Sequence, residues 1–203
     1  MNLTTSQIDA IQELLNIGVG RAANVLNEML DAYIHLQIPY IKIKLPQELQ
    51  REMQTSFGRG RVAAVRQDFS GSFSGIAELV FPTDSACMLA AILTGEELGT
   101  PDLDAVRIST LSEVGNILIN SVIGSIGNLI NRNLEYELPY YIEDTVENLI
   151  HFHNKVAPTT VLLAQTQFTI ERFQIRGDII LIFELSSFNL LMSAIAEEIY
   201  AYK

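Results

Sequence analysis

The sequence has one cysteine, Cys87, so no disulfide can form within the chain. It stands in the apolar run 86–93 and reads as a small buried hydrophobe. Positive charge is scarce too. Lys and Arg number 13 against 24 Asp and Glu, which leaves a net charge of −11. Such a surface repels phosphate backbones and anionic headgroups, so nucleic acid is not an expected partner. No apolar run approaches the ~18 residues that span a bilayer. The start, Met1-Asn2-Leu3-Thr4-Thr5, has neither a basic n-region nor an apolar h-region. A cytoplasmic protein with no membrane span is the expectation. The familiar catalytic signatures are missing as well. There is no P-loop, no serine elbow and no Cys/His pair, and Gly18 and Gly20 do not follow a strand as a dinucleotide fingerprint requires. Of the three histidines, His35 reads as a satisfied surface or strand histidine. His151 and His153 form an H-x-H pair, expected on a strand or loop, with no cysteine nearby to complete a metal site.

What is present is a globular composition, 48% apolar and 18% charged, in a chain long enough to bury roughly 70% of its unfolded surface. A helix is expected to open at Ser6, with Asp9 in its first turn, and to run to about Leu30. Its apolar side carries Ile11, Leu14, Leu15, Ala22, Val25, Leu26 and Met29. Asp9, Glu13, Asn16, Gly20 and Asn27 gather on the other side within a stripe roughly 60° wide. A strand over 35–44 follows, with Pro39 confining it to an edge or bulge. Residues 45–60, holding Pro46, Gly58 and Gly60, read as an irregular connection. A strand pair then turns at Ser70-Gly71, and Thr83 and Asp84 cap a short helix.

A second helix is expected to open at Thr100-Pro101-Asp102. It carries Leu111, Val114, Leu118, Val122, Ile126 and Leu129 on one side, with Ser109, Glu113, Asn116 and Asn120 opposite. The strand 135–142 again contains a proline. Asp9, Glu13, Asn16 and Pro39 thus recur as Ser109, Glu113, Asn116 and Pro139, one hundred residues on. Gly75, Leu79, Val80 and Phe81 recur as Gly177, Leu181, Ile182 and Phe183, and residues 86–93 correspond to 188–195. The simplest account is a duplicated unit, one pseudo-symmetric domain over 1–203 built from halves of about 1–98 and 99–203.

A lone E-x-x-N is ordinarily a solvated helix face. Here it recurs in register with a proline, while the apolar residues around it differ more between copies than the polar ones do. Asparagine is neither a base nor a good nucleophile at neutral pH, but it can hold a water by donating and accepting at once. Placing an attacking water is a known contribution to phosphoryl transfer, where catalysis is mostly positioning and electrostatics. The neighbouring glutamate suits a cation such as a partner's lysine.

The doubled pattern of Asp or Ser, Glu, Asn and Pro resembles that of the CheC/CheX/FliY phosphatases of bacterial chemotaxis, over nearly the whole chain. Two intact motifs look more like CheC than CheX, which has one, and the extra C-terminal switch domain of FliY-like members is not expected. The resemblance implies an α+β fold, a central largely antiparallel sheet with two long site-bearing helices. It implies hydrolysis of the aspartyl phosphate on a CheY-like response regulator. Asn16 and Asn116 would then hold the attacking water, and Glu13 and Glu113 would pair with the receiver's lysine. Asp9, Pro39, Ser109 and Pro139 would be framework. The chain would need no cofactor of its own, since Mg2+ would be held by the phosphorylated partner. CheD, a receptor-modifying deamidase, is a further partner that the resemblance implies. A non-enzymatic adaptor for a receiver or CheD is the alternative, and a flagellar-switch component a third.

Overall fold

The computed structural model describes residues 4–37, 40–44, 46–58, 60–96, 105–153 and 161–201. The first helix, α1 (Thr5–Leu30), opens on a reciprocal cap. The Gln7 backbone N–H donates to Thr4 Oγ1 at 3.3 Å, and Thr4 N–H donates to Gln7 Oε1 at 2.9 Å. The N-cap is therefore Thr4, not Ser6, because only from there does Gln7 reach back. Asp9 falls in the second turn, is exposed and makes no hydrogen bond among the described residues, so it does not cap the helix. The buried stripe runs Ile11, Leu15, Gly18, Val19, Ala22, Leu26, Leu30, and Met29 lies outside it at 38% exposed.

Two short strands, β1 (Ile34–Leu36) and β2 (Tyr40–Lys44), replace the single expected strand. Both pair antiparallel with one long partner, β7 (Val161–Ile170). Pro39, at the gap between them, lies outside the described residues. The second half does the same. Strands β5 (Leu134–Tyr136) and β6 (Tyr140–Thr145) both pair with β3 (Arg61–Gly71), and half-buried Pro139 occupies the break. A proline cannot donate to a ladder, so the edge strand is interrupted there. Strands β4 (Gly75–Pro82) and β8 (Ile175–Glu184) lie side by side at the centre, giving the order β1-β7-β8-β4-β3-β5. One rung crosses the whole antiparallel sheet, from Tyr40 through Gln165, Ile180, Glu78 and Arg66 to Tyr140. The turn from β3 to β4 lies at 72–74, just beyond the expected Ser70-Gly71, and Gly71 takes φ +125° as the chain leaves the strand.

Strand alternation sends one set of residues to each face of the sheet. Ala63, Val65, Leu79, Phe81, Ala164, Phe168 and Leu181 pack under α1, α3 (Thr83–Thr94), α4 (Ala105–Leu129) and α6 (Leu185–Ala201). Val62, Ala64, Val80, Ile180 and Ile182 pack under α2 (Pro46–Phe57) and α5 (Val146–His153) through Met53, Val146 and Leu149. Helix α2 corrects the expected irregular connection. Pro46 is its first residue, where a missing N–H costs nothing, and Glu48 sits in the first turn. Helix α5 likewise places His151 and His153 on a helix, not on a strand or loop. Cys87 is only half-buried. The expected helix opening at 100–102 lies outside the described residues.

Asp178 on β8 is 2% exposed and accepts from Gln165 Nε2 at 2.6 Å. Burial raises its carboxyl above the ordinary 3.8, against hydrogen bonds from Gln165 and Gln167 and the charge of Arg176, which lower it. A carboxyl raised on folding holds its proton longer in the folded chain, so stability falls as pH rises through 3.8 to the raised value and is flat above it. Asp178→Asn should therefore match the wild type in thermal unfolding near pH 3 and exceed it at pH 7.

Candidate active site

The two long helices α1 and α4 pack against each other over the sheet. Gly18 lets them approach, since a Cβ there would lie 2.8 Å from the Val122 carbonyl oxygen. Arg21 Nη1 donates to Ser125 Oγ across the contact at 3.2 Å. The buried sides of both helices are thereby fixed, and the residues three and four apart on their other sides are left to face outward.

In the first half these are Glu13 and Asn16, both exposed, with Gly20 one turn on. Among the described residues nothing hydrogen-bonds or ion-pairs with either side chain. A Cβ added at Gly20 would meet nothing within 4 Å, so this face is open. In the second half Glu113 and Ser109 are exposed and Asn116 is half-buried. Asn116 Oδ1 accepts from Asn120 Nδ2 at 2.8 Å and lies 3.4 Å from Gln67 Nε2. Gln67 Nε2 also donates to the Glu137 carbonyl at 3.0 Å, at the edge-strand break where Pro139 sits. The second proline is thus close to its asparagine through one backbone carbonyl and one glutamine. Beside that carbonyl the chain exposes two large apolar residues, Tyr136 (39%) and Leu138 (86%), while Tyr140 lies against Arg66 on the other face of the sheet.

The expected pairs Glu13/Asn16 and Glu113/Asn116 each share one helix face. Asp9 and Ser109 lie exposed one turn before their glutamates. Gln67 is the residue that spacing along the chain did not reveal. Its one signal is a polar side chain in a core-facing row, between Val65 and Phe69, both buried in the α4 layer. No group of three His, Cys, Asp or Glu able to hold a metal occurs among the described residues. His35 lies edge-on to Tyr33 and 3.2 Å from Glu171.

No family model matches the chain. It is similar to CheY-P phosphatase CheC of Bacillus subtilis (strain 168), with 27% identity over 143 residues, 66% of this chain. That stretch is 64% of the CheC protein, a little under two thirds of its length. The likeness is to the CheC/CheX/FliY family. Its fold is that of Thermotoga maritima FliY, at a TM-score of 0.78 and 19% identity, covering 98% of this chain and all of that one. It is also similar to the chain in a CheX-CheY-BeF3-Mg2+ complex from Borrelia burgdorferi. There the TM-score is 0.56 at 22% identity, covering 87% of this chain and 99% of that one. The α+β fold agrees with the expected one, and the likeness is to the expected family. No helix among the described residues is long and apolar enough to cross a membrane.

Proposed function

We propose that this chain hydrolyses the aspartyl phosphate of a CheY-like receiver domain. The observation that carries the reading is the pair of outward Glu/Asn faces on α1 and α4, held on a scaffold that a named CheY-P phosphatase shares in sequence. Receiver and chain divide the work. The receiver supplies the phosphoryl group, its lysine and the Mg2+, and this chain supplies a carboxylate to dock on the lysine and an amide to hold water. Water oxygen bonds to phosphorus as the bond from phosphorus to the aspartyl oxygen breaks. Inorganic phosphate and a free carboxylate result, and the water's protons pass to phosphate and solvent. Asn16 or Asn116 meets the water, while Glu13 or Glu113 fixes the line of approach. The exposed Tyr136 and Leu138 give the second face an apolar rim of the kind that protein partners cover. The net charge of −11 suits docking through a partner's cation.

The test is turnover. A phosphorylated receiver mixed with one twentieth as much of this chain should lose its phosphate many times faster than alone, releasing many phosphates per chain. An adaptor would instead bind the receiver one to one and leave its lifetime unchanged or extended.

A further inference from the structure

The two halves differ behind the asparagine. Gln67 is 2% exposed on the helix-facing side of β3. Its Nε2 donates to the Glu137 carbonyl, an atom that can only accept, and this fixes which end of the glutamine amide faces α4. The same nitrogen and Asn120 Nδ2 both address Asn116 Oδ1, at 3.4 and 2.8 Å. The longer contact is weak, so Asn120 supplies the firmer hold and Gln67 the polarity. The carbonyl end of Asn116 is therefore engaged, and its Nδ2 makes no hydrogen bond among the described residues. Gln67 Oε1 and Asn120 Oδ1 are buried without a partner there. Unsatisfied buried oxygens are uncommon in folded proteins and call for a reason.

The first half has neither support. Gln165 pairs with Tyr40 as Arg66 pairs with Tyr140, so Thr166 stands where Gln67 does. Thr166 Oγ1 donates to the Gln37 carbonyl at 2.6 Å, just as Gln67 does to Glu137, but its single hydroxyl proton is spent there. Gly20 takes the place of Asn120 and offers no amide.

We propose that Gln67 and Asn120 are positioning residues that hold Asn116 in its working orientation, and that the second site consequently turns over faster than the first. The inference rests on the hydrolase reading above. Held by its oxygen, Asn116 points its N–H groups outward. An N–H bonded to one lone pair of a water leaves the other for in-line attack on phosphorus. A freely rotating Asn16 must be ordered at each turnover, and a misplacement of about 1 Å can cost on the order of 100-fold.

Single-site chains test this. With Asn16→Ala only the second site remains, and with Asn116→Ala only the first. The Asn16→Ala chain should have the higher kcat. Adding Gln67→Thr to it should lower kcat about tenfold with KM and Tm little changed, since a threonine already makes the equivalent bond in the first half. Asn120→Ala should act the same way. In the Asn116→Ala chain, Gly20→Asn should raise kcat, because the site has room for the side chain. If Gln67→Thr and Asn120→Ala leave the kcat of an active Asn16→Ala chain unchanged, or if the Asn116→Ala chain is the faster, the positioning role is wrong. If the wild type releases no phosphate at all, the hydrolase reading fails and this inference goes with it.

Discussion

Asn16→Ala and Asn116→Ala together should lower phosphate release from a phosphorylated receiver by on the order of 100-fold, the usual loss when one positioned polar donor is removed from a reacting centre. Each asparagine stands on its own helix, so either single substitution should leave a working face. Two features of the structure support independence. Glu13 and Asn16 share α1, Glu113 and Asn116 share α4, and the described hydrogen bonds of Asn116 are to Gln67 and Asn120, none of them to α1. Phosphate release followed at saturating receiver gives each site's kcat directly. The single-site rates should add up to the wild-type rate if the faces do not communicate.

The second large effect is on stability, at Gly115. An alanine Cβ there would lie 2.4 Å from Val65 Cγ1 and 2.6 Å from Val65 Cβ, with Val65 itself 1% exposed in the sheet. Neither neighbour can give way cheaply, because one is a helix backbone and the other a packed strand. Overfilling of this kind costs about 1–3 kcal/mol, or roughly 2–12 °C in Tm for a chain of this size. Helix propensity alone would give the opposite sign, since alanine is better than glycine by about 1 kcal/mol in a helix interior. Gly20→Ala provides the contrast. With nothing within 4 Å of the added Cβ, it should raise Tm where Gly115→Ala lowers it. Any outward shift of α4 would also carry Asn116, the next residue, away from Gln67. Gly115→Ala should therefore lower activity at the second site along with stability, as thermal unfolding and phosphate release on the Asn16→Ala chain would show.

Legibility in the sequence followed the range of the interactions concerned. Glu13 with Asn16 and Glu113 with Asn116 could be read because helix geometry ties residues three apart, and because the second copy repeated the first. The central strand pair could be placed around the turn signal at Ser70-Gly71, although burial on both faces leaves it no alternation. Where neighbours in sequence offered equal choices, the reading slipped. Thr4, Thr5 and Ser6 all carry a capping hydroxyl, and only the reach of Gln7 back to Thr4 selects one. Helix α2 was hidden because Pro46, a breaker inside a helix, is a starter at its first position, and because Met53 is its one fully buried apolar side chain among those described. Gln67 lay furthest from view. Its partner Asn116 is 49 residues away, and their meeting depends on α4 crossing β3 and on the β3–β5/β6 register. The chemistry of a helix face is local, whereas the shell that orients it belongs to the tertiary fold.

The central claim is that the asparagines act on the reaction and not on docking. It is tested most directly by the lifetime of a phosphorylated receiver saturated with the Asn16→Ala/Asn116→Ala chain, alongside that chain's affinity for a beryllofluoride-activated receiver. Affinity close to wild type with a lifetime close to that of the receiver alone is the expected result. A double variant that binds and still shortens the lifetime as the wild type does would contradict the account.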